Sequence, residues 1–598
     1  MGKKLFLMGN EAIARGAVEA GVNVAAGYPG TPSSEVLTTL AKFATEFGFY
    51  AEWSVNEKVA LEVASGASYA GARALVSMKQ VGLNVAADPL MSLAYIGVKG
   101  GLVLVVADDP GPHSSQTEQD TRKFASFANL PVFDPSTPQE AKDMVKEAFE
   151  LSEKYSLPVI LRPTTRTCHA CQDVEVEDVV KVDRSYRFEK DPKWVIMPGL
   201  SYKKHIELNK LQPVMAEDFN QSKFNQLHLA GEIGIIACGV SYNYVLEACR
   251  ELRIEPSLLK IGTPYPLPPQ PVLGILRHCQ SVLVIEEQEP VVEDQTIKIA
   301  WQNSMVTKIS GKHDNLVPRE GELNVDKIKA ILIRYFNLTE EMPIPKVDLP
   351  VMPVRSPVLC AGCPHRASFL AFKEIGRAQD AVFCGDIGCY TLGTAAPLDM
   401  LDTCLCMGAG ISQAAGMSRV EPGRKHVAFI GDSTFFHSGI AGLVNAVYNN
   451  ANITIVIMDN STTAMTGHQP HPGINRTATG KGNKAIDIAE VVRACGVELI
   501  KIVDPNNFTE MKQAALETMA FKGPSVVLAK RECVAICKTP DKYAIDLDLC
   551  IGCEICIQKL GCPAIYINNE AILISPQCTG CGLCAQVCPQ NAIREVSK

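Results

Sequence analysis

No uninterrupted apolar run in these 598 residues reaches the length needed to span a bilayer, and Met1 to Asn10 is too short for a secretory signal, with no cleavage-site pattern behind it. A basic excess is missing as well. The 57 Lys and Arg face 65 Asp and Glu, a net charge of -8, so neither nucleic acid nor an anionic membrane is expected as a partner. The chain reads as a large cytoplasmic protein, roughly four domains long on the usual length prior, with 47% hydrophobic residues to fill their cores. What it does not lack is cysteine. Twenty-two cysteines in a chain of this character point to metal ligation and free thiols rather than disulfides, in a reducing or anaerobic setting.

Eight of them stand in two terminal runs, Cys550-x2-Cys553-x2-Cys556-x5-Cys562-Pro563 and Cys578-x2-Cys581-x2-Cys584-x3-Cys588-Pro589. Three closely spaced thiolates can occupy three corners of a [4Fe-4S] cube, and in ferredoxin modules of this spacing the fourth cysteine of each run ligates the other cluster. Cys550, Cys553, Cys556 and Cys588 are therefore assigned to one cluster, and Cys578, Cys581, Cys584 and Cys562 to the other. Structural zinc and disulfides are the competing readings, and two Cys-Pro endings at this spacing favour iron and sulfur. Cys562 follows a gap of five residues where the bacterial pattern has three, so the loop before it must bulge.

From Phe6 onward apolar runs alternate with helix-like stretches: a helix at Asn10 to Ala20, and strands at Ala74 to Met78 and Gly101 to Ala107. Continuous apolar strands between helices indicate a parallel sheet covered on both faces. A second unit begins near Gly231 with GEIGIIACG, followed by a helix at Tyr242 to Leu252 and a strand at Ser281 to Glu287. A third follows the Pro-rich stretch Met342 to Pro357, and the cysteine module starts near Tyr543.

The third unit contains GDSTFFHSGIAGLVNAVYNNANITIVIMDN, from Gly431 to Asn460. A right-handed crossover places Asp432 and Asn460 at the carboxyl ends of neighbouring parallel strands, the crevice where open sheets bind ligands. Oxygen donors there suit Mg²⁺ with diphosphate oxygens, and Gly431 lets the backbone come close to phosphates at a helix start.

This segment resembles the thiamine diphosphate motif, whose metal ligands match Asp432, Asn460 and the backbone carbonyl of Thr462. Ser433 stands where many such enzymes have a second glycine. With GYPGTPSSE at Gly27 to Glu35, the helix opened by Glu57, ADDPGPHSSQTEQD at Ala107 to Asp120, MDNSTTAMTGHQPHPG and the terminal cysteines, essentially the whole chain is similar to the large subunits of indolepyruvate-type 2-oxoacid:ferredoxin oxidoreductases. The resemblance implies a multi-domain α/β chain of doubly wound parallel sheets: a pyrimidine-binding domain over 1–175, an irregular connecting segment over 176–230, a transketolase C-terminal-like α/β domain over 231–345, a diphosphate-binding domain over 346–540, and a two-cluster bacterial ferredoxin-like α+β module over 541–598.

It also implies thiamine diphosphate, Mg²⁺ and two [4Fe-4S] clusters as cofactors, with Gly431, Asp432, Ser433, Asn460 and Thr462 on the diphosphate and metal. Glu57 matches the glutamate that exchanges a proton with the aminopyrimidine. A carboxyl inside a dry cofactor pocket has its pKa raised, which suits that task, although a first-turn glutamate also serves a helix dipole. Thr31, Lys79 with Gln80, and His113 are candidates for the substrate pocket, Lys79 for the substrate carboxylate. His437 and His468 are candidates for handling protons. For each, a surface loop or a satisfied core residue is the alternative. Cys360, Cys363, Cys389 and Cys533 fall where relatives ligate a third cluster. Cys384 and Cys537 are rivals for two of those places, and buried structural cysteine is the competing account. Cys168-His-Ala-Cys171 is taken as an ordinary thiol pair.

The implied reaction converts an arylpyruvate (indolepyruvate, phenylpyruvate or 4-hydroxyphenylpyruvate), coenzyme A and oxidised ferredoxin into an aryl-acetyl-CoA, carbon dioxide and reduced ferredoxin. A smaller beta subunit brings the domain associated with coenzyme A, in a dimer of heterodimers. The alternatives are a ferredoxin oxidoreductase for another 2-oxoacid, a non-oxidative decarboxylase, for which the terminal clusters would be superfluous, and an electron-transfer subunit with relic thiamine domains.

Overall fold

The computed structural model describes residues 3–179, 186–338, 350–353, 355–482, 484–537 and 542–596. They form two units, Met1–Lys346 and Val347–Lys598. The boundaries expected at 345/346 and 540/541, and most of the Pro-rich stretch that begins at Met342, lie outside the described residues.

The first unit is built on a six-stranded parallel sheet in the order Tyr50–Trp53, Val24–Gly27, Ala74–Lys79, Leu102–Ala107, Val159–Leu161, Val132–Phe133. The central run LVLVVA is buried at every position, which is what helices on both faces require of a strand. Helix Gly9–Glu19 covers one side against Pro138–Tyr155, and Glu57–Tyr69 packs on the strands Val24–Gly27 and Ala74–Lys79. A second sheet, in the order Lys308–Ser310, Ser281–Ile285, Ile233–Cys238, Ser257–Ile261, Gln226–His228, is parallel except at its last edge strand. The helices and strands anticipated from the sequence agree with these bounds to within about two residues, the usual margin for element ends.

The segment 176–230 departs from expectation. It holds a 22-residue helix, Pro198–Phe219, whose Leu208, Met215 and Phe219 are buried. Leu208 and Met215 join the core that also contains Leu90, Leu93 and Leu130. Their spacing of seven and four residues is a one-sided helical stripe. Pro213 inside the helix, and the Lys and Glu around that stripe, hide it in the sequence.

Between the two sheets of this unit lies a fully buried ionic network. Arg122 contacts Asp120 at 2.6 Å and Glu286 at 2.7 Å, and Arg162 contacts Asp108 at 2.7 Å and Asp134 at 2.9 Å. Arg122 also donates to the carbonyl of Glu287 at 2.6 Å.

The second unit carries a five-stranded parallel sheet, Val382–Cys384, His426–Gly431, Ile453–Asp459, Ser525–Lys530, Leu499–Val503. The terminal module adds two antiparallel pairs, Lys542–Ile545 with Ile593–Val596 and Ile565–Asn568 with Ala571–Ile574, plus the short helices Ile555–Gln558 and Leu583–Val587. Phe369, Phe372 and Phe429 of the sheet domain share one continuous core with Cys556, Leu560, Leu583 and Ile593 of the module. The cysteine module is therefore packed onto the sheet domain rather than tethered beside it.

Burial pushes the Glu287 carboxyl up to about 7, opposed by the charge of Arg162. A carboxyl raised in the folded state contributes stability that is complete below its unfolded value, about 4.3, and is lost as pH rises through the folded value. The first transition in anaerobic calorimetry is expected to weaken between about pH 4.3 and 7, and Glu287→Gln to flatten that slope. An equally steep slope in the variant would remove Glu287 as the cause.

Candidate active site and cysteine ligand sets

Asp432 and Asn460 follow directly on the parallel neighbours His426–Gly431 and Ile453–Asp459. Both are buried, as are Ser433 and Thr462. Asp432 Oδ2 accepts from the backbone N–H of Asn460 at 3.1 Å, its Oδ1 accepts from that of Ser433 at 2.7 Å, and Thr463 Oγ1 donates to Ser433 Oγ at 3.0 Å. His471 Nε2 stands 3.1 Å from Asp432 Oδ2. Burial alone would lift the Asp432 carboxyl, but the charge of His471 and these donors hold it below its usual value. His471 is raised in turn, because Asp432 outweighs its own burial. Asp459 is pushed up to about 6 by burial and by the neighbouring Asp432 charge. The result is a buried anion with an amide oxygen beside it on the next strand, and the Thr462 hydroxyl has no partner among the described residues. Such hard oxygen donors suit Mg²⁺ and a diphosphate.

Gly431 has a reason beyond phosphate approach. A Cβ there would fall 2.5 Å from Tyr390 Cε1. The Tyr390 hydroxyl donates to the Ile387 carbonyl at 2.9 Å and lies 3.0 Å from the Thr434 hydroxyl, so the ring is pinned against the strand end. After Thr434 the chain makes a π-turn, Phe435–Gly439, an irregularity common at functional sites. It carries the buried His437, whose Nδ1 lies 2.5 Å from Ser438 Oγ. His468 has a φ of +64° and receives Arg476 Nη2 on its carbonyl at 3.1 Å. The imidazole at the metal motif is thus His471, which sequence reasoning passed over. So is His365, 3.4 Å from Asn460 Nδ2 and lowered to about 4 by burial, hence neutral. A histidine doublet in GHQPH was the only available signal, and it does not tell the two apart.

The terminal cysteines gather around two cavities. Cys562, Cys578, Cys581 and Cys584 line one, together with Cys363, and Cys550, Cys553, Cys556 and Cys588 line the other. The fourth cysteine of each run therefore sits with the other run's first three. Among the described residues no three His, Cys, Asp or Glu are grouped to hold a single metal ion. Burial raises the thiols of Cys556, Cys581 and Cys584, the last to about 12, with neighbouring sulfurs of the same set adding to each. At the set that begins with Cys550, Cys553 is exposed and Ile551 is 65% exposed. The lengthened loop before Cys562 does bulge. Gly561 adopts a φ of +54°, and the Leu560 and Gly561 carbonyls accept from Arg366 Nη1, the second at 3.1 Å.

Of the scattered cysteines, Cys360, Cys363, Cys389 and Cys533 are electrostatic neighbours. Burial pushes Cys363 up to about 12, with Cys360 and Cys389 adding, and Cys389 up to about 11, with Cys533 and Cys360 adding. Cys533 donates its backbone N–H to the Asn460 carbonyl at 2.9 Å, which brings this cysteine next to the oxygen donors. Cys384 ends its strand inside the apolar core near Thr403, away from this group. Cys537 donates its backbone N–H to the Cys533 carbonyl at 3.1 Å. Cys168 is buried and Cys171 exposed.

In the first unit, Glu57, Thr31, Lys79 and the Ala107 loop follow the carboxyl ends of four adjacent strands. Asn56 caps the helix at Val59 N, 2.9 Å, and turns the buried Glu57 inward, where a Cβ on Gly82 would meet Glu57 Oε1 at 2.5 Å. Lys79 Nζ donates to the Ser114 carbonyl at 3.2 Å, and Ser114 Oγ donates to the Thr31 carbonyl at 3.2 Å. Burial lowers the Lys79 ammonium pKa against the pull of Asp109 and Glu57. Gln80 donates to the Thr117 carbonyl at 3.2 Å. His113 instead pairs with Glu322 at 3.2 Å, together with Arg166, on an exposed edge.

Residues 15–228 match the family model for the thiamine diphosphate-binding part of pyruvate flavodoxin/ferredoxin oxidoreductases, 386–529 that for the C-terminal thiamine pyrophosphate-binding domain of thiamine enzymes, and 574–594 that for a 4Fe-4S binding domain. Over the full chain it is 43% identical to "Indolepyruvate oxidoreductase subunit IorA" of Pyrococcus horikoshii, covering 100% of this chain and 97% of that one. The subunit of the same name from Archaeoglobus fulgidus is 43% identical, covering 99% and 98%, and that from Methanothermobacter thermautotrophicus 41%, covering 100% and 98%. Among solved structures it is similar to a 2-oxoglutarate:ferredoxin oxidoreductase from Magnetococcus marinus, with TM-score 0.44 and 15% identity over 55% of this chain and 65% of that one.

Gly431→Ala is expected to displace the Tyr390 ring and cost about 1–3 kcal/mol. Adding Tyr390→Ala removes the obstacle, so the double variant should be less destabilised than the sum of the two. Strictly additive costs in denaturant titrations would show that the ring is not what excludes a side chain at 431.

Proposed function

We infer, starting from a chain that belongs to the family of indolepyruvate oxidoreductase IorA subunits and is a thiamine-dependent 2-oxoacid:ferredoxin oxidoreductase with an iron-sulfur domain, that its substrate is an arylpyruvate: indolepyruvate, phenylpyruvate or 4-hydroxyphenylpyruvate. The products are the aryl-acetyl-CoA and carbon dioxide, and the electrons pass through the cysteine-held clusters to ferredoxin. The enzyme works in the cytoplasm as a dimer of heterodimers with a smaller beta subunit.

One observation supports this reading above the rest: the two cavities lined by the terminal cysteines share a core with the domain that presents Asp432 and Asn460. An aldehyde-releasing decarboxylase has no use for such an electron outlet. Thiamine diphosphate, when bound, supplies the electron sink for loss of carbon dioxide from a 2-oxoacid. Asp432, Asn460 and the Thr462 carbonyl would hold Mg²⁺, with Gly431 and Ser433 at the diphosphate and His471 steadying Asp432. Glu57 exchanges a proton with the aminopyrimidine. Lys79, desolvated and close to Thr31, binds the substrate carboxylate, and His437 and His468 handle protons. Cys550, Cys553, Cys556 and Cys588 hold one [4Fe-4S] cluster and Cys562, Cys578, Cys581 and Cys584 a second. Cys360, Cys363, Cys389 and Cys533 hold a third beside the oxygen donors.

The anaerobically purified complex is expected to lose visible cluster absorbance when indolepyruvate or phenylpyruvate is added, with full turnover only when coenzyme A is present. Bleaching without substrate, or aldehyde release without reduction, would reject the assignment. Glu57→Gln should lower turnover by about 10²–10⁴, the usual worth of a positioned proton donor, with iron content unchanged. Near-normal activity in that variant would free Glu57 of its role.

A further inference from the structure

We propose that Arg366 raises the reduction potential of the cluster held by Cys562, Cys578, Cys581 and Cys584, so that within the terminal module this cluster is the stronger electron acceptor. The inference rests on the cluster reading above and goes beyond it.

Arg366 is the third residue of helix Pro364–Gly376, three positions after Cys363, and is 4% exposed. Its Nη1 donates to the Leu560 and Gly561 carbonyls, and its Nη2 to those of Leu359 at 2.8 Å and Cys360 at 3.3 Å. All its hydrogen-bond acceptors are thus neutral carbonyl oxygens. Clamping the lengthened module loop to the Cys360 loop accounts for both terminal nitrogens. Among the described residues it leaves the charge without a carboxylate partner and the buried Nε–H without an acceptor.

A buried guanidinium with no counter-ion is costly, and so is an unmet donor. One anion within reach would answer both needs. Arg366 lines the cavity of Cys562, Cys578, Cys581 and Cys584, which Cys363 lines as well, and four thiolates around an iron-sulfur core there would carry net negative charge. The other cavity is lined by Ile545, Ile551, Ile572, Pro589, Gln590, Ala592 and Ile593 besides its cysteines, and no basic side chain is among them. Two sets of similar ligand spacing therefore differ by one cation and one N–H donor, and cluster potential responds to both net charge and hydrogen bonds to sulfur.

Accepting one electron makes the cluster one unit more negative. The electron originates in oxidation of the 2-oxoacid and leaves to ferredoxin. Arg366 stays protonated throughout, so no proton moves, and its charge favours the reduced form.

The test is a potentiometric titration of the anaerobic complex followed by electron paramagnetic resonance. In Arg366→Gln the equilibrium constant for reducing one cluster should fall by about tenfold or more, a midpoint about 59 mV more negative for a one-electron couple, with the other terminal cluster unmoved. Arg366→Lys keeps the charge but cannot reproduce the Nε donor, so its midpoint should fall between the two, and it serves as the reading if the Gln variant fails to fold. Full iron content with unmoved midpoints in both variants overturns the proposal. Loss of this one cluster in both, with the other retained, also overturns it in favour of a purely structural clamp. Absence of any low-potential cluster signal from the wild-type complex would sink the cluster reading itself, and this inference with it.

Discussion

Parallel pairing of His426–Gly431 with Ile453–Asp459 is the constraint on which the second unit's chemistry depends. It brings a carboxylate and a carboxamide, twenty-eight positions apart in the chain, to within one backbone hydrogen bond. Nothing in their local sequence could do that, because a parallel pair needs a crossover between its strands. The crossover here is the irregular stretch from Phe435 through helix Ile440–Tyr448. Burial there would normally neutralise a carboxyl. His471 and two backbone amides keep Asp432 an anion, which is the condition for holding a divalent cation.

The parts of this arrangement that were legible in the sequence are those tied to one element. The strand ends at Asp432 and Asn460 follow from apolar runs of fixed length, and the cysteine sets follow from spacing alone. Pairings across the fold were not legible. His471 and His468 sit in the same loop, and only the turn that returns Gln469 to Thr463 decides which ring faces Asp432. Cys389 and Cys384 lie five residues apart, yet the second ends a strand in the apolar core and the first begins the turn beyond it. Helix Pro198–Phe219 was hidden because an internal proline and a ring of charges mask a stripe of three buried side chains. Arg366 gave no signal at all, since a helix N-terminal arginine ordinarily points to water.

The first unit obeys the same rule at another sheet. Glu57, Thr31, Lys79 and Asp109 come from four connections, and strand order alone makes them neighbours. Lys79 is poised between desolvation and two anions. Its ammonium is held toward the loops by the Ser114 carbonyl, 3.2 Å from Nζ. Behind these loops the Arg122 and Arg162 network pins the second sheet to the first through Glu286, the Glu287 carbonyl and Gln288. Cutting any one partner would strand a charge in the interior, so the network binds the two sheets as a unit.

The two terminal cavities are not equally sheltered. One is closed over by Arg366, Leu560 and the Gly362 loop, while the other has Cys553 and Ile551 at its mouth. Air should therefore damage such a protein in sequence. Oxygen would meet the Cys553 sulfur before those packed behind Arg366, so thiol oxidation would begin at the outer set.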